Sequence, residues 1–437
     1  MNFKTLIAQS IIWRGCYFFS VLLVNVFLSR YLKAAGAGNL YFITIVFSFA
    51  QAVLGLSFDS GITFFGSAKI ILRNKLISIA GLWSIIAGII TVGVVYLYFL
   101  IDTNIADSHL WSYSFYAFCY VTGQSLMTYL TSLYYTQENY FLPNLLLSLV
   151  NFAYVLMIPG KDTPTNSEEI QKIITLYFFT FLAAGIVLYI SFVVTNRREG
   201  AIGFPAKEQA RQFLKYSLTA LAANVIFFLV YRVDYLFVKV SPVCTDADLG
   251  NYIQVSKLGQ MMLIIPQIIA SVVFPRTASG IDRKHLNYSI MVIARLFSQF
   301  FLMVLLVILL CGKWLFILLF GETFNKMQVP FILIIPGIFF LSVQVLLAAY
   351  FGGKGQVKVN VISAILALIV MIVGDYFFVP VYGIIAAAIV STISYGVNVG
   401  YSLYVFYKDY SVNLIDFFRW RKEDYFWLKT LTKSNTN

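Results

Sequence analysis

Charge is what this 437-residue chain has least of: only 11% of its residues are Asp, Glu, Lys or Arg. A water-soluble chain of this length cannot cover its surface with so little charge, so a soluble domain is excluded. Histidine is almost absent, with His109 and His285 the only two. A zinc centre or a histidine-based active site therefore has too few candidate ligands. The four cysteines, Cys16, Cys119, Cys244 and Cys311, are isolated, and no CxxC or Cys/His spacing marks a metal or redox site. No GxxxxGK[ST] loop and no nucleophile elbow occur. Gly352-Gly353-Lys354-Gly355 is glycine-rich but reads as a tight turn. The chain is thus not expected to be an enzyme, and no cofactor is called for.

What is present in quantity is apolar. Hydrophobic residues make up 60% of the chain, and mean hydropathy is +0.82. They fall in runs long enough to cross about 30 Å of hydrocarbon as helices. Windowed hydropathy predicts about twelve spans, near 9–30, 40–58, 76–100, 110–134, 141–158, 174–195, 214–238, 251–273, 289–311, 329–350, 359–379 and 382–407. The expected fold class is an all-α polytopic membrane protein. The opening MNFKTLIAQSIIWRGCYFF lacks a small-residue cleavage site, so the first helix is expected to remain as a span.

The formal net charge of +12 is a topology signal rather than a nucleic-acid footprint. Lys69, Arg73, Lys75, Arg197, Arg198, Lys207 and Arg211 fall on one side, as do Arg276, Arg283, Lys284, Lys354 and the basic tail. The positive-inside rule then puts both termini in the cytoplasm. The tail from Ser411 mixes Phe, Trp and Leu with Arg and Lys. It reads equally as an amphipathic surface helix and as a solvated tail.

The chain repeats itself. Gly38-Asn39-Leu40-Tyr41 follows the first span, and Gly250-Asn251-Tyr252 follows the seventh. Tyr134 precedes Asn144 as Tyr350 precedes Asn360, after the fourth and tenth spans. The two offsets agree to within about four residues, as a duplicated half would require. Six spans per half is an even number, so the repeat is parallel. The expected domains are 1–195 as an N-terminal six-helix lobe and 196–213 as a cytoplasmic linker. They continue with 214–407 as a C-terminal six-helix lobe and 408–437 as a cytoplasmic tail.

Motifs in order along the second half carry a resemblance. Tyr231-Arg232-Val233-Asp234-Tyr235 resembles the Arg-x-Asp signature of bacterial polysaccharide (O-antigen) flippases of the multidrug/oligosaccharidyl-lipid/polysaccharide (MOP) exporter superfamily. LGNYIQVSKLGQMMLIIPQIIASVVFPRTAS resembles their Gly-x-Tyr opening and Phe-Pro-Arg exit, and FGETF their turn before the tenth span. VPVYGIIAAAIVSTISY resembles their Pro-x-Tyr-Gly stretch, with Ala386 where the family has Gly and Asp375 where it often has Asn. LSRYLKAAGAGNLYF matches in the first half. The resemblance implies a MATE-like, V-shaped pair of lobes around a cavity open alternately to each side. It also implies a flippase carrying polyprenyl-diphosphate-linked oligosaccharide repeat units across the bacterial inner membrane, for O-antigen, capsule or exopolysaccharide synthesis. A polysaccharide polymerase and chain-length machinery would be its partners. A MATE-type multidrug or metabolite exporter is the alternative, and a membrane glycan polymerase or ligase a weaker one.

Residues for such chemistry must be polar groups inside spans. Arg14, Arg232, Lys257 and Arg295 are the deep cations, expected to offset the desolvation of a diphosphate. Gln254 and Gln260 share a face with Lys257 and extend that substrate-binding set. Snorkelling of Arg14 and Arg295, or ion pairs of Arg232 and Lys257 with Asp234 or Asp59, are the structural alternatives. Asp59, Asp234 and Asp375 are the candidate coupling acids, for a proton or sodium. In the lipid II flippase branch a sodium site uses a seventh-span acid with groups on the last two spans. By that resemblance Asp234, Asp375 and Ser391 or Thr392 are its counterparts here.

Overall fold

The computed structural model describes residues 3–101, 110–160, 166–196, 203–278, 283–410, 420–421 and 424. Every regular element among the described residues is a helix. In order they are α1 (Phe3–Leu54), α2 (Phe58–Ser67), α3 (Arg73–Ile101), α4 (Leu110–Tyr135), α5 (Phe141–Met157), α6 (Ser167–Thr195) and α7 (Lys207–Arg232). Then follow α8 (Asp234–Val240), α9 (Asp246–Met261), α10 (Ile264–Ala278), α11 (Arg283–Phe320), α12 (Gln328–Gly353) and α13 (Val357–Tyr410). Among the described residues, eight helical stretches, one of them running from α9 into α10, are long and apolar enough to cross a membrane.

Two of the long helices are each a pair. α1 is interrupted at Lys33, where φ is 59°. Tyr41 then meets Ser29 through a 3.0 Å hydroxyl contact and donates to the Asn25 carbonyl at 3.3 Å. On a straight helix Tyr41 and Asn25 would stand about 24 Å apart, so the chain doubles back. α13 does the same at Gly383, whose φ of 59° and ψ of −140° suit only a residue without Cβ. Past it, Ser394 donates to the Ala367 carbonyl at 2.7 Å. Counting both pairs, and joining α7 to α8 and α9 to α10, gives a helix for each of the twelve expected spans.

Contacts divide the chain into two compact units, Met1–Phe228 and Leu229–Asn437. The division falls within α7 rather than in the 196–213 stretch. The reason is local packing: the first turns of α7 are bound to α2. Phe213 packs edge-on to Phe58 at 5.0 Å, Tyr216 stacks on Phe64 at 4.7 Å, and Asn224 donates to Ser57 at 3.0 Å.

In the first unit α4 is the central helix. It is less apolar than α3, α5 and α6, although its apolar run predicts a span. Its neighbours explain this, because Tyr116, Tyr120, Thr122, Ser125, Tyr129 and Tyr134 are buried against protein instead of lipid. α4 and α6 meet backbone to backbone. A Cβ on Gly123 would lie 2.2 Å from the Phe181 carbonyl carbon, and one on Gly185 would lie 2.9 Å from the Gly123 oxygen. Small residues allow this approach, which is how helices associate without a hydrophobic driving force. In the second unit α12 has the central place, packed on both halves of α13. Exposed apolar side chains such as Ile89, Leu97, Leu310 and Trp314 form the lipid-facing surface.

Gly123→Ala should push α4 from α6 and destabilise the first unit by about 1–3 kcal/mol. Gly160→Ala, with open space around it, should be neutral. Thermal unfolding of the detergent-solubilised variants checks this, and equal midpoints would contradict the packing.

Candidate functional site

Of the carboxylates buried in the second unit, Asp234 and Asp375 lie within the spans. The seventh span breaks at Val233, so Asp234 opens α8 instead of continuing α7. Its side chain is fully buried. The Tyr252 hydroxyl, from α9, donates to Asp234 Oδ2 at 2.6 Å, and the Ser391 hydroxyl, from α13, donates to the same oxygen at 3.3 Å. The Tyr235 backbone N–H donates to Oδ1 at 3.0 Å. Tyr252 and Ser391 lie 3.1 Å from each other, closing a small ring of oxygens.

Asp375, on the first half of α13, is also fully buried, and neither of its oxygens has a hydrogen-bond partner. It lies within electrostatic reach of Asp234. An unpartnered buried carboxylate is costly in low dielectric, and two acids near each other are costlier still. A proton or a small hard cation offsets both costs, and oxygen ligands suit sodium. Among the described residues no three His, Cys, Asp or Glu side chains converge. Thr392 is oriented differently from Ser391. It donates to the Leu333 carbonyl at 2.6 Å, so its hydroxyl is committed to α12. Asp59 belongs to the first unit, at the start of α2.

The deep cations separate into three settings. Arg232, at the end of α7, donates from Nη1 to the Tyr235 hydroxyl at 2.9 Å and lies 5.5 Å from that ring. Lys257 on α9 is half-buried and within electrostatic reach of Arg232. Gln260 is beside them, donating to the Tyr231 carbonyl at 3.4 Å and to Ser256 at 3.3 Å. Gln254 is instead sealed in the protein interior. The three-residue stripe expected on α9 is therefore two half-buried groups and one enclosed amide.

Arg14, in the first unit, sits against tyrosines. Its Nε donates to the Tyr135 hydroxyl at 3.3 Å, and its guanidinium lies 4.5 Å from the Tyr135 ring and 5.8 Å from Tyr140. Asn144 orients Tyr135 by donating to its hydroxyl at 3.1 Å. Cation–π contact with two rings holds the charge without neutralising it.

Arg295 departs from the expected ladder of open cations. It is 1% exposed and bidentate to Asp424, at 2.8 Å from Nε and 2.6 Å from Nη2. The Arg421 N–H donates to the same carboxylate at 3.1 Å, and Trp420 donates to Ser298 on α11 at 2.8 Å. The charge is matched inside the unit by the tail, and it neither snorkels nor stands open. Most of 408–437 lies outside the described residues, so neither expectation for the tail applies beyond these contacts. Sequence reasoning missed Tyr252, Tyr235, Tyr135 and Asp424. Tyr252 stood in the repeated Gly-Asn-Tyr motif, and that recurrence was its one signal.

No family model matches the chain, and no curated protein matches it. Solved structures share its fold. The lipid II flippase MurJ in an inward closed conformation aligns with a TM-score of 0.70 at 17% identity, over 98% of this chain and 93% of that one. An inward-facing multidrug resistance MATE family transporter of the MOP superfamily aligns at 0.65 with 12% identity, over 91% and 96%. A MOP superfamily transporter from Pyrococcus furiosus, described as having a binding pocket of reverse polarity, aligns at 0.61 with 14% identity, over 92% and 93%. At these identities the likeness is one of fold. The chain is a multi-pass membrane protein with the architecture of these transporters.

Removing one partner of the Arg295–Asp424 pair strands the other in hydrocarbon. Arg295→Met or Asp424→Leu alone should cost about 3–5 kcal/mol, and the double variant far less. Unfolding midpoints of the three purified variants test this. Additive losses would show that the ion pair is not formed.

Proposed function

We propose that this chain is a flippase moving polyprenyl-diphosphate-linked oligosaccharide repeat units from the cytoplasmic to the outer leaflet of the bacterial inner membrane. It works by alternating access and serves surface polysaccharide synthesis. The observation that carries the reading is the placement of cations inside spans of both units. Arg14 is held by two tyrosine rings. Arg232 and Lys257 share one neighbourhood with Gln260. Arg14, half-buried and held by neutral tyrosines, retains attraction for an incoming anion, and Arg232, within electrostatic reach of Asp234, and Lys257 add further positive charge. A carrier of cationic drugs gains nothing from them. The fold is compatible with this cargo, since a lipid II flippase shares it, as multidrug transporters also do.

In this reading Arg232 and Lys257 attract the diphosphate on the second unit and Arg14 does so on the first, and Gln260 contacts polar groups of the head. Asp234 and Asp375, with Ser391, hold the coupling cation, sodium or proton. A cation that binds one conformation better than the other biases their equilibrium by that difference in affinity. Both termini lie in the cytoplasm, and a polymerase with chain-length machinery takes up the product.

Reconstituted vesicles loaded with a lipid-linked oligosaccharide test the reading. Arg232→Gln and Lys257→Gln should each slow flipping on the order of tenfold, the equivalent of one charge-assisted hydrogen bond, with normal protein abundance. Asp234→Asn should abolish the response to an imposed sodium or proton gradient. Export of cationic dyes with no movement of lipid-linked glycan would establish the multidrug reading instead.

A further inference from the structure

The second unit contains more unpaired polar atoms than its carboxylate pair accounts for, and they form a line. On the first half of α13, Asn360, Ser363, Ala367, Met371 and Asp375 recur at intervals of three and four residues, one face of a helix. On the second half, Ser391, Ser394, Asn398 and Ser402 recur in the same way. All of these side chains are buried.

The two halves run antiparallel and pair in register. Val390 packs on Gly374, and Ser394 donates to the Ala367 carbonyl at 2.7 Å. Continuing that register brings Asn398 level with Ser363, and Ser402 level with Asn360. α12 completes the seam: Gln344 Nε2 donates to Ser363 at 3.4 Å, and the Ala348 carbonyl accepts from Asn360 Nδ2 at 2.9 Å.

Along this seam the hydrogen-bonding capacity exceeds its use. Asp375 Oδ1 and Oδ2, Gln344 Oε1, both polar atoms of the Asn398 amide, Asn360 Oδ1 and Ser402 Oγ are all buried without a partner. At the far end, in the α12–α13 turn, Gln356 Oε1 is another. Each such atom is destabilising if left dry. Scattered orphans are tolerated, but these gather at the two ends of one seam, bridged past Ala367 and Met371 by the hydroxyls of Ser391 and Ser394, and such a line of amides and hydroxyls within a span can hold water. From Asp375 to Asn360 the file is about 22 Å long at the helical rise, most of a bilayer leaflet and a half.

We propose that this seam between α12 and the two halves of α13 is a hydrated path along which the coupling cation reaches Asp375 and Asp234 from the α12–α13 turn. The lining is neutral oxygen and amide, so it solvates a monovalent cation without trapping it. The titratable groups facing it are Asp234, Asp375, Tyr252 and Tyr395 at the inner end and Tyr350 at the outer. The identity of the traveller rests on the cation-coupled reading above; water access to the seam does not.

Cysteine accessibility separates the two. In a background with Cys16, Cys119, Cys244 and Cys311 replaced by serine, Ser363→Cys, Asn398→Cys and Ser402→Cys are exposed to silver ion, which matches sodium in charge. The control is Ser84→Cys, equally buried but in α3 of the first unit, away from the seam. The purified full-length protein should react at the three seam positions at least about tenfold faster than at the control, because a wet site needs no local opening. Rates equal to the control overturn the path. In vesicles, Asn398→Leu and the milder Ser402→Ala should reduce the response of transport to an imposed gradient, and the gradient affected, sodium or proton, names the cation. An unchanged response in both variants overturns the coupling role. If the unmodified protein moves no lipid-linked glycan under any gradient, the flippase reading falls and the silver rates still decide the seam.

Discussion

The bilayer interior cannot solvate a charge, and almost every informative feature of this chain is a response to that constraint. A cation or carboxylate within a span must find its counterpart from the protein itself. The chain answers in three ways. Arg295 is fully neutralised by a carboxylate 129 residues away. Arg14 is stabilised by tyrosine rings and a hydroxyl, which leave its charge uncancelled, and Arg232 by the Tyr235 ring and hydroxyl within electrostatic reach of Asp234. Asp375 is left with no partner at all. The degree of neutralisation therefore grades these residues, from structural to available for a visiting ion.

The same grading explains how the units are built. The first unit closes α4 on α6 with glycines and fills its core with aromatic side chains, among them Phe58, Tyr129, Phe192 and Phe213. Its polar groups are mostly satisfied locally, as with Ser84 and Thr91 bonding carbonyls one turn back. The second unit keeps its acids and its unsatisfied amides along α13. One unit reads as a firm body, and the other contains the groups whose state can change.

Hydropathy made the architecture legible, because lipid contact imposes long apolar runs that no other constraint produces. It failed where lipid is absent. α4 gives a weaker apolar signal than its neighbours because its tyrosines are buried against protein, and α2 and the break at Val233 leave no trace in composition. Site residues were legible by type and depth, since Arg232, Lys257, Asp234 and Asp375 are conspicuous in an apolar chain. Their partners were not. Tyr252 is one of 29 tyrosines, and its place in the repeated Gly-Asn-Tyr motif marked a repeat rather than a partner for Asp234. Asp424 looked like one charge in a basic tail, and only folding brings it to Arg295. Pairing across long separations is set by tertiary packing, which a single sequence does not display.

The Arg295–Asp424 pair also has a consequence in time. Translation delivers Arg295 to the membrane before its partner exists. At roughly 5–20 residues per second, the intervening chain takes on the order of ten seconds to emerge. Through that interval α11 holds an uncompensated guanidinium, so the nascent chain depends on the insertion machinery or on headgroup contact to shelter it. Completion of the second unit is thereby tied to the arrival of the last residues, and a chain that stops short of Asp424 carries a marker of its own incompleteness that membrane quality control can read.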